Sequence, residues 1–384
     1  MRKPIRVIDQ SFLFLGDVDL YESLKLTRRF YTAGELEVKI NRHKKGADLL
    51  KMDRIVFIQN QLHKAYLIRS VESELDQAGK ITENIIVRAQ HVLGFLSRVL
   101  TLPPTGRSYD YVNSNAETII KTYIDNNVIN SPIEANNNPI LQLAPDEGRG
   151  TQTIYQTRFK NLLDECADIA DFGGIGMRAS VNFDAEKVIL DVAEGVDRTA
   201  DQDEVKPVIF SPDPTYRSLK AANYFESNWN FRNVAIVAGQ GEGIDRTIVE
   251  VDQSEGGERY EVFVDARDVE EEDEDGEPIP EQDIIDTLVA RGEQALNDLR
   301  QEVYFEGEAL RKSSFVYEVD YDLGDIVTIQ VKEWGISFND RIVECVETYS
   351  QSGFDLDLKF GKTIQTTAET IKKLINRSTV EART

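Results

Sequence analysis

The stretch YESLKLTRRFYTAGELEVKINRH, residues 21–43, reads as two strands joined at a glycine. Leu24, Leu26 and Arg28 alternate with Ser23, Lys25 and Thr27. Leu36, Val38 and Ile40 alternate with Glu35, Glu37, Lys39 and Asn41. A period of two is the mark of strands with one buried face, and Gly34 supplies the turn.

The same pattern extends on both sides of this hairpin. Strands are expected at Ile5–Ile8, Phe12–Leu15, Ser23–Arg29, Glu35–Asn41, Arg54–Gln59, Ala65–Glu74 and Glu83–Gln90, which suits a barrel or sandwich. Past Pro103 and Pro104 the periodicity becomes helical. Ser114 and Glu117 have capping-box spacing ahead of Ile119, Ile120, Tyr123 and Ile124, so a helix is expected over 115–127. A polar segment, 130–150, reads as a loop. Phe159, Leu162, Leu163, Cys166, Ile169 and Ala170 trace a second helix that Gly173 and Gly174 end, and strands follow at Met177–Phe183 and Lys187–Val192.

Strands resume at Val208, with the clearest at Ser218–Phe225, Asn233–Ala238, Thr247–Val251 and Tyr260–Val264. A helix over Asp283–Tyr304 with Asp283 as its cap, strands from Phe315 to Phe360 and a last helix at Thr363–Asn376 complete the reading. A possible internal repeat spans these regions. Asp53-Arg-Ile-Val-Phe-Ile-Gln59 resembles Gly324-Asp-Ile-Val-Thr-Ile-Gln330, and the strands that follow, from Leu67 and from Arg341, are alike. The fold class expected is α+β and β-dominated, with two similar antiparallel β-barrels and inserted helix-containing domains. The divisions are 1–100 for the first barrel, 101–206 for an inserted α+β domain, 207–265 with 305–362 for the second barrel, 266–304 for an acidic loop and helix, and 363–384 for a terminal helix and tail.

Composition excludes several function classes. At 384 residues, 41 % hydrophobic and 29 % charged, the chain has the make-up of a globular protein with more than one core. No apolar run approaches the roughly 20 residues that cross a bilayer, and the N-terminus lacks the apolar stretch of a secretory signal. Synthesis in a cytoplasm without membrane insertion is the expectation. The net charge of -24 is concentrated on residues 241–290 and opposes binding to nucleic-acid phosphates. Solubility is the simpler reading of that acid, and a DNA-repelling lumen is the alternative.

No catalytic, cofactor-binding or metal-binding residue stands out. Cys166 and Cys345 lie in apolar patterns and read as buried free thiols, while His43, His63 and His91 share no ligand spacing. Gly239-Gln-Gly-Glu-Gly243 follows a strand but precedes another, which favours a hairpin loop over a phosphate cradle. The acidic run 270–276 approximates a calcium loop, yet Gln282 stands where the bidentate Glu belongs, so a plain acidic loop is preferred. Arg28-Arg29 and His43-Lys44-Lys45 read as solvated strand ends or subunit contacts. Tyr224, Phe225, Trp229 and Phe231 form the one dense aromatic group, read first as a strand core.

Four segments together, PIRVIDQSFLFLGDVDLYESL (4–24), TRRFYTAGELEVKINRH (27–43), RYEVFVDARDV (259–269) and FEGEALRKSSFVYEVDYDLGDIVTIQ (305–330), resemble the gene-product-37-like family of siphovirus tail proteins. The resemblance implies a structural virion protein of a phage or prophage: a non-enzymatic hub at the tail tip or baseplate. It implies a homotrimer whose two similar barrels mimic six-fold symmetry and join the tail tube or distal tail protein to receptor-binding parts. The chain ends soon after Phe360, so any cell-wall hydrolase is expected on another chain. The alternatives are a carboxylate-dependent tail-tip hydrolase and a carbohydrate- or receptor-binding module.

Overall fold

The computed structural model describes residues 3–75, 81–272, 277–311 and 313–361. The first part contributes β1 (Ile5–Ile8), β2 (Phe14–Val18), β3 (Ser23–Arg29), β4 (Glu35–Asn41), β5 (Ile55–Ile58), β6 (Gln61–Leu75) and β7 (Ile81–His91). Alternation in β3 and β4 is realised as expected: Leu24, Leu26, Leu36, Val38 and Ile40 are all buried in one core with Tyr66, Ile68 and Val87. Gly34 is needed for a different reason from a turn. A Cβ there would lie 2.0 Å from the Thr27 carbonyl oxygen, so only glycine admits this approach of the two strands. The second strand begins two residues later than expected, at Phe14, because Asp9 accepts from the amides of Ser11 and Leu13 and folds that segment into a turn.

The middle of the chain forms β8 (Asp110–Asn115), α1 (Ala116–Ile124), β9 (Leu141–Leu143), β10 (Gln152–Thr157), α2 (Leu162–Gly173), β11 (Gly176–Asn182) and β12 (Lys187–Ala193). Asn115, not Ser114, caps α1 by accepting from the Thr118 amide at 3.0 Å. Glu117 is taken instead by Arg149, at 2.8 Å through both Nε and Nη2, and by Lys121 at 2.5 Å. The expected loop at 130–150 contains β9, which pairs in parallel with β12.

Two short strands, β13 (Asp197–Arg198) and β14 (Ile209–Phe210), precede β15 (Leu219–Ser227). A small module follows: β16 (Val234–Ala238), β17 (Ile248–Asp252), β18 (Glu261–Asp265) and α3 (Glu281–Asp298). The helix stops well before Tyr304, which belongs to a strand, and Asp283 lies within its first turn rather than capping it. The chain then makes β19 (Glu302–Ala309), β20 (Ile326–Val331), β21 (Ile336–Ser350) and β22 (Gly353–Gly361). Residues 315–325, expected to be extended, form a connection held by a Tyr317–Tyr321 bridge and by Val316 and Asp320. The expected helix at 363–376 lies outside the described residues.

β1–β7 join β13–β15 and β19–β22 in one 14-stranded sheet, with the order β15-β19-β22-β21-β3-β4-β7-β6-β5-β1-β2 and with β20 on β21 beside β13 and β14. Two separate barrels were expected. Among the described residues no closure is found, and the halves are continuous through β21 and β3. Within this sheet the sequence repeat becomes a repeat of topology. The run β3-β4-β7-β6 with β5 matches β15-β19-β22-β21 with β20 in strand order. Both 15-residue strands, β6 and β21, are bulged at the matching place, between Ile68 and Ser70 and between Ile342 and Glu344.

Phe30 pins three parts of the molecule at once. Its amide donates to the Val343 carbonyl and its carbonyl accepts from Met177, while a Cβ on Gly176 or Gly324 would lie 2.3 Å from its ring. Arg341 stacks on the ring at 4.9 Å.

Candidate assembly seam and open sheet edges

The chemistry-bearing residues gather where the two repeats meet. β21 runs antiparallel to β3 from Glu344 opposite Arg29 to Ser350 opposite Ser23. Along the same edge of β21, residues 336–341 pair with β20, so β20 and β3 lie end to end on one strand. Arg29 donates to Glu344 at 2.9 Å on the outer face of this seam.

On the inner face a buried ionic cluster closes the seam. Lys64, fully buried at 0 % exposure, donates to Glu347 at 2.5 Å and lies 2.7 Å from Glu318. Tyr317 and Tyr349 donate to Glu347 at 3.1 and 2.7 Å, and Gln61 donates to Glu318 at 2.5 Å. Arg28 reaches from β3 to the Tyr317 hydroxyl at 2.6 Å and to Asp322 at 2.7 Å. Burial works to raise the Glu318 carboxyl, but the His63 ring 3.5 Å away and the charge of Lys64 outweigh it and hold the group well below the usual carboxylate range. Arg28 and Arg29 are therefore seam residues and not solvated strand ends. The connection 315–325 supplies their partners.

Two matching edges lack such a partner. β15 occupies in the second repeat the place of β3 in the first, yet among the described residues it pairs with β19 alone. β6 carries β5 as far as Leu67, and the edge of β6 that follows has no partner strand among the described residues, although the matching edge of β21 holds β3. Beside β15 lies a cleft of about 620 Å³ lined by Tyr224, Glu226, Phe338 and Asp340 among others.

The remaining motifs fall apart from this region. Gly239–Gly243 is a hairpin connection between the antiparallel β16 and β17. Glu270–Glu272 are described and the rest of the acidic run, 273–276, is not, so the calcium reading lies largely outside the described residues. The aromatic group is not a strand core: Trp229 is 87 % and Phe225 43 % exposed, and only Tyr224 packs against the second core. Cys166 and Cys345 are buried and free. Among the described residues no helix is long and apolar enough to cross a membrane. The sequence signal for the seam was present as Arg28-Arg29, but its acidic partners lie some 290 positions away in the chain.

Solved structures that share this fold are phage and prophage tail proteins. The 43 kDa tail protein of prophage MuSo2 from Shewanella oneidensis aligns with a TM-score of 0.58 at 11 % identity, covering 94 % of this chain and 98 % of that one. A tail protein from Neisseria meningitidis MC58 gives 0.56 at 13 % identity over 94 % and 97 %. Prophage tail protein gp18 from Listeria monocytogenes EGD-e gives 0.53 at 11 % identity over 97 % and 98 %. The chain itself belongs to the siphovirus ReqiPepy6 Gp37-like protein family, whose model matches residues 4–362. No curated protein matches it. The matches are to structural tail proteins, in accord with a non-enzymatic role.

Proposed function

We propose that this tail protein is the hub of the tail tip or baseplate, a homotrimer that joins the tail tube or distal tail protein to receptor-binding parts. The observation that carries the reading is the repeated strand order, with one internal seam and two unpaired edges that match it. If β6 of one copy receives β15 of the next as β21 receives β3, every seam in the ring has the same form. Three copies then present six similar repeats, the symmetry required to meet a hexameric tube. Each repeat is proposed as one barrel-like unit, the first within 1–100 and the second from β15 with β19–β22, with 101–206 and the module of β16–β18 and α3 as insertions.

Charge supports the orientation of such a ring. One face of the sheet is covered by the two cores, and the opposite face, which outside β5 and β6 has no core packed on it, is placed toward the lumen. On that face Glu306, Glu308, Asp355 and Asp357 alternate with the buried Phe305, Leu356 and Leu358. Burial and the neighbouring Glu308, Glu306 and Asp355 push the Asp357 carboxyl up, a sign of crowded acid. Lys220 on Glu308 and Arg311 on Asp355 balance part of this acid, and the remainder, Glu306 and Asp357, disfavours adhesion of a passing DNA.

The test is the mass in solution by light scattering over a concentration series. One chain is 43.5 kDa. The reading expects three times that mass at the upper concentrations, and a mass that stays at one chain throughout, together with no ring on mixing with the tail tube, contradicts it.

A further inference from the structure

The cleft beside β15 has a filled counterpart inside the same chain. Cross-strand registers fix the correspondence: the row Leu26, Leu36, Ala89, Ile68 across the first repeat matches Tyr224, Phe305, Phe360, Ile342 across the second. The pairings of Ile58 with Gln61 and of Ile329 with Phe338 make Gln61 the counterpart of Phe338, with residues 62–64, His63 and Lys64 among them, inserted in the first repeat, and Arg28 corresponds to Glu226. Gln61, His63, Lys64 and Arg28 grip Glu318 and Tyr317 of the connection between β19 and β20. Phe338 and Glu226 line the cleft.

We infer that the cleft is a socket for residues 42–54 of a second copy, the connection between β4 and β5 that corresponds to the one bearing Tyr317 and Glu318. This rests on the ring reading above. Charge inverts between the two sockets. In the internal socket an acidic connection enters a site that holds Arg28, His63 and Lys64. In the cleft the acids are the exposed Glu226 and the half-buried Asp340, and no ion pair reaches either among the described residues. Glu226 takes only the Tyr224 hydroxyl and the Gln301 amide, both at 2.7 Å, and Asp340 takes the Arg341 amide at 2.8 Å. The cleft's own cations are committed elsewhere, Arg300 to Asp171 at 2.8 Å and Arg341 to the carbonyls of Glu194, Gly324 and Gly174.

The entering connection suits this socket. Ala47 and Leu50 anchor it in the first core, and His43, Lys44 and Lys45 stand exposed at its tip, with no carboxylate among the described residues paired to either lysine. A basic tip meeting two unpaired carboxylates also fixes which repeat follows which, because a repeat of the first kind in that position would place Arg28 and Lys64 against Lys44 and Lys45.

Charge exchange tests the assignment. Glu226→Lys and the pair Lys44→Glu with Lys45→Glu are each expected to weaken self-association about tenfold or more, and the variant with all three changes is expected to recover most of it. Singly altered proteins that associate within about twofold of the parent overturn the socket while leaving the ring intact. If the parent does not associate at all, the ring reading fails separately, and the socket is then read with a labelled peptide of residues 42–54. Binding to the parent that Glu226→Lys abolishes supports the socket, and no binding at millimolar peptide overturns it.

Discussion

Lys64 is a cation with no access to water, held between two carboxylates from the other repeat. Removing one partner of a buried charge set leaves the rest uncompensated, at a cost of about 3 to 5 kcal/mol. Lys64→Met is expected to lose that much in denaturant unfolding, and to lose much less in a Glu347→Gln background, where the unpaired charge is gone. Asp340 makes the opposite point. Burial pushes its carboxyl up to about 6 against the pull of the Arg341 amide and the charges of Arg300 and Arg341. The unfolded chain ionises first, near pH 3.9, so stability is complete below that value and declines as the pH rises to about 6. Asp340→Asn is expected to remove this decline and, measured on dilute protein at neutral pH, to stabilise the fold by about 1 to 2 kcal/mol after allowance for partial exposure. Neither residue was marked in the sequence. An isolated Lys and an isolated Asp carry no local signal, because what makes them unusual is burial created by distant segments.

At the scale of elements, period-two alternation was enough to read β3, β4 and β7, where one face is buried and the other wet. It was also enough to place the hairpin β16–β17 and so to dismiss a phosphate loop. Reading failed where tertiary contacts overrode pattern. The 315–325 connection has strand-like residues, yet Tyr317, Glu318 and Asp322 are drawn across to β3 and β6. Three residues cannot pair into β21, because β3 already fills that edge. The helix start at Asn115 was missed by one position because Glu117, expected to complete a capping box, is held by Arg149 and Lys121. Packing between elements is tightest at Phe30. Gly176→Ala places a methyl 2.3 Å from its ring, and overpacking of this kind costs about 1 to 3 kcal/mol. Thermal unfolding of that variant checks the claim, and an unchanged melting temperature refutes it.

For the whole molecule, the repeat seen as DRIVFIQ and GDIVTIQ turned out to mark β5 and β20, equivalent strands in two runs of the same order. Sequence likeness covered only those strands and their successors, since the insertion of β16–β18 and α3 separates β15 from β19 and hides the rest. What no single chain's sequence displays is the seam, whose two sides come from opposite ends of the chain. The same geometry defines the central claim, that a second copy repeats the seam between β6 and β15. Matching the internal pairs Glu344–Arg29 and Glu347–Leu26 sets Ser70 opposite Ser227 and Ser73 opposite Tyr224. The native cysteines are buried and do not interfere. The decisive measurement is therefore oxidative cross-linking of Ser70→Cys with Ser227→Cys in one chain, resolved by mass. The account expects a closed covalent trimer at three times 43.5 kDa, with Ser70→Cys and Phe225→Cys linking poorly. Monomers alone, or equal linking of the displaced pair, contradict it.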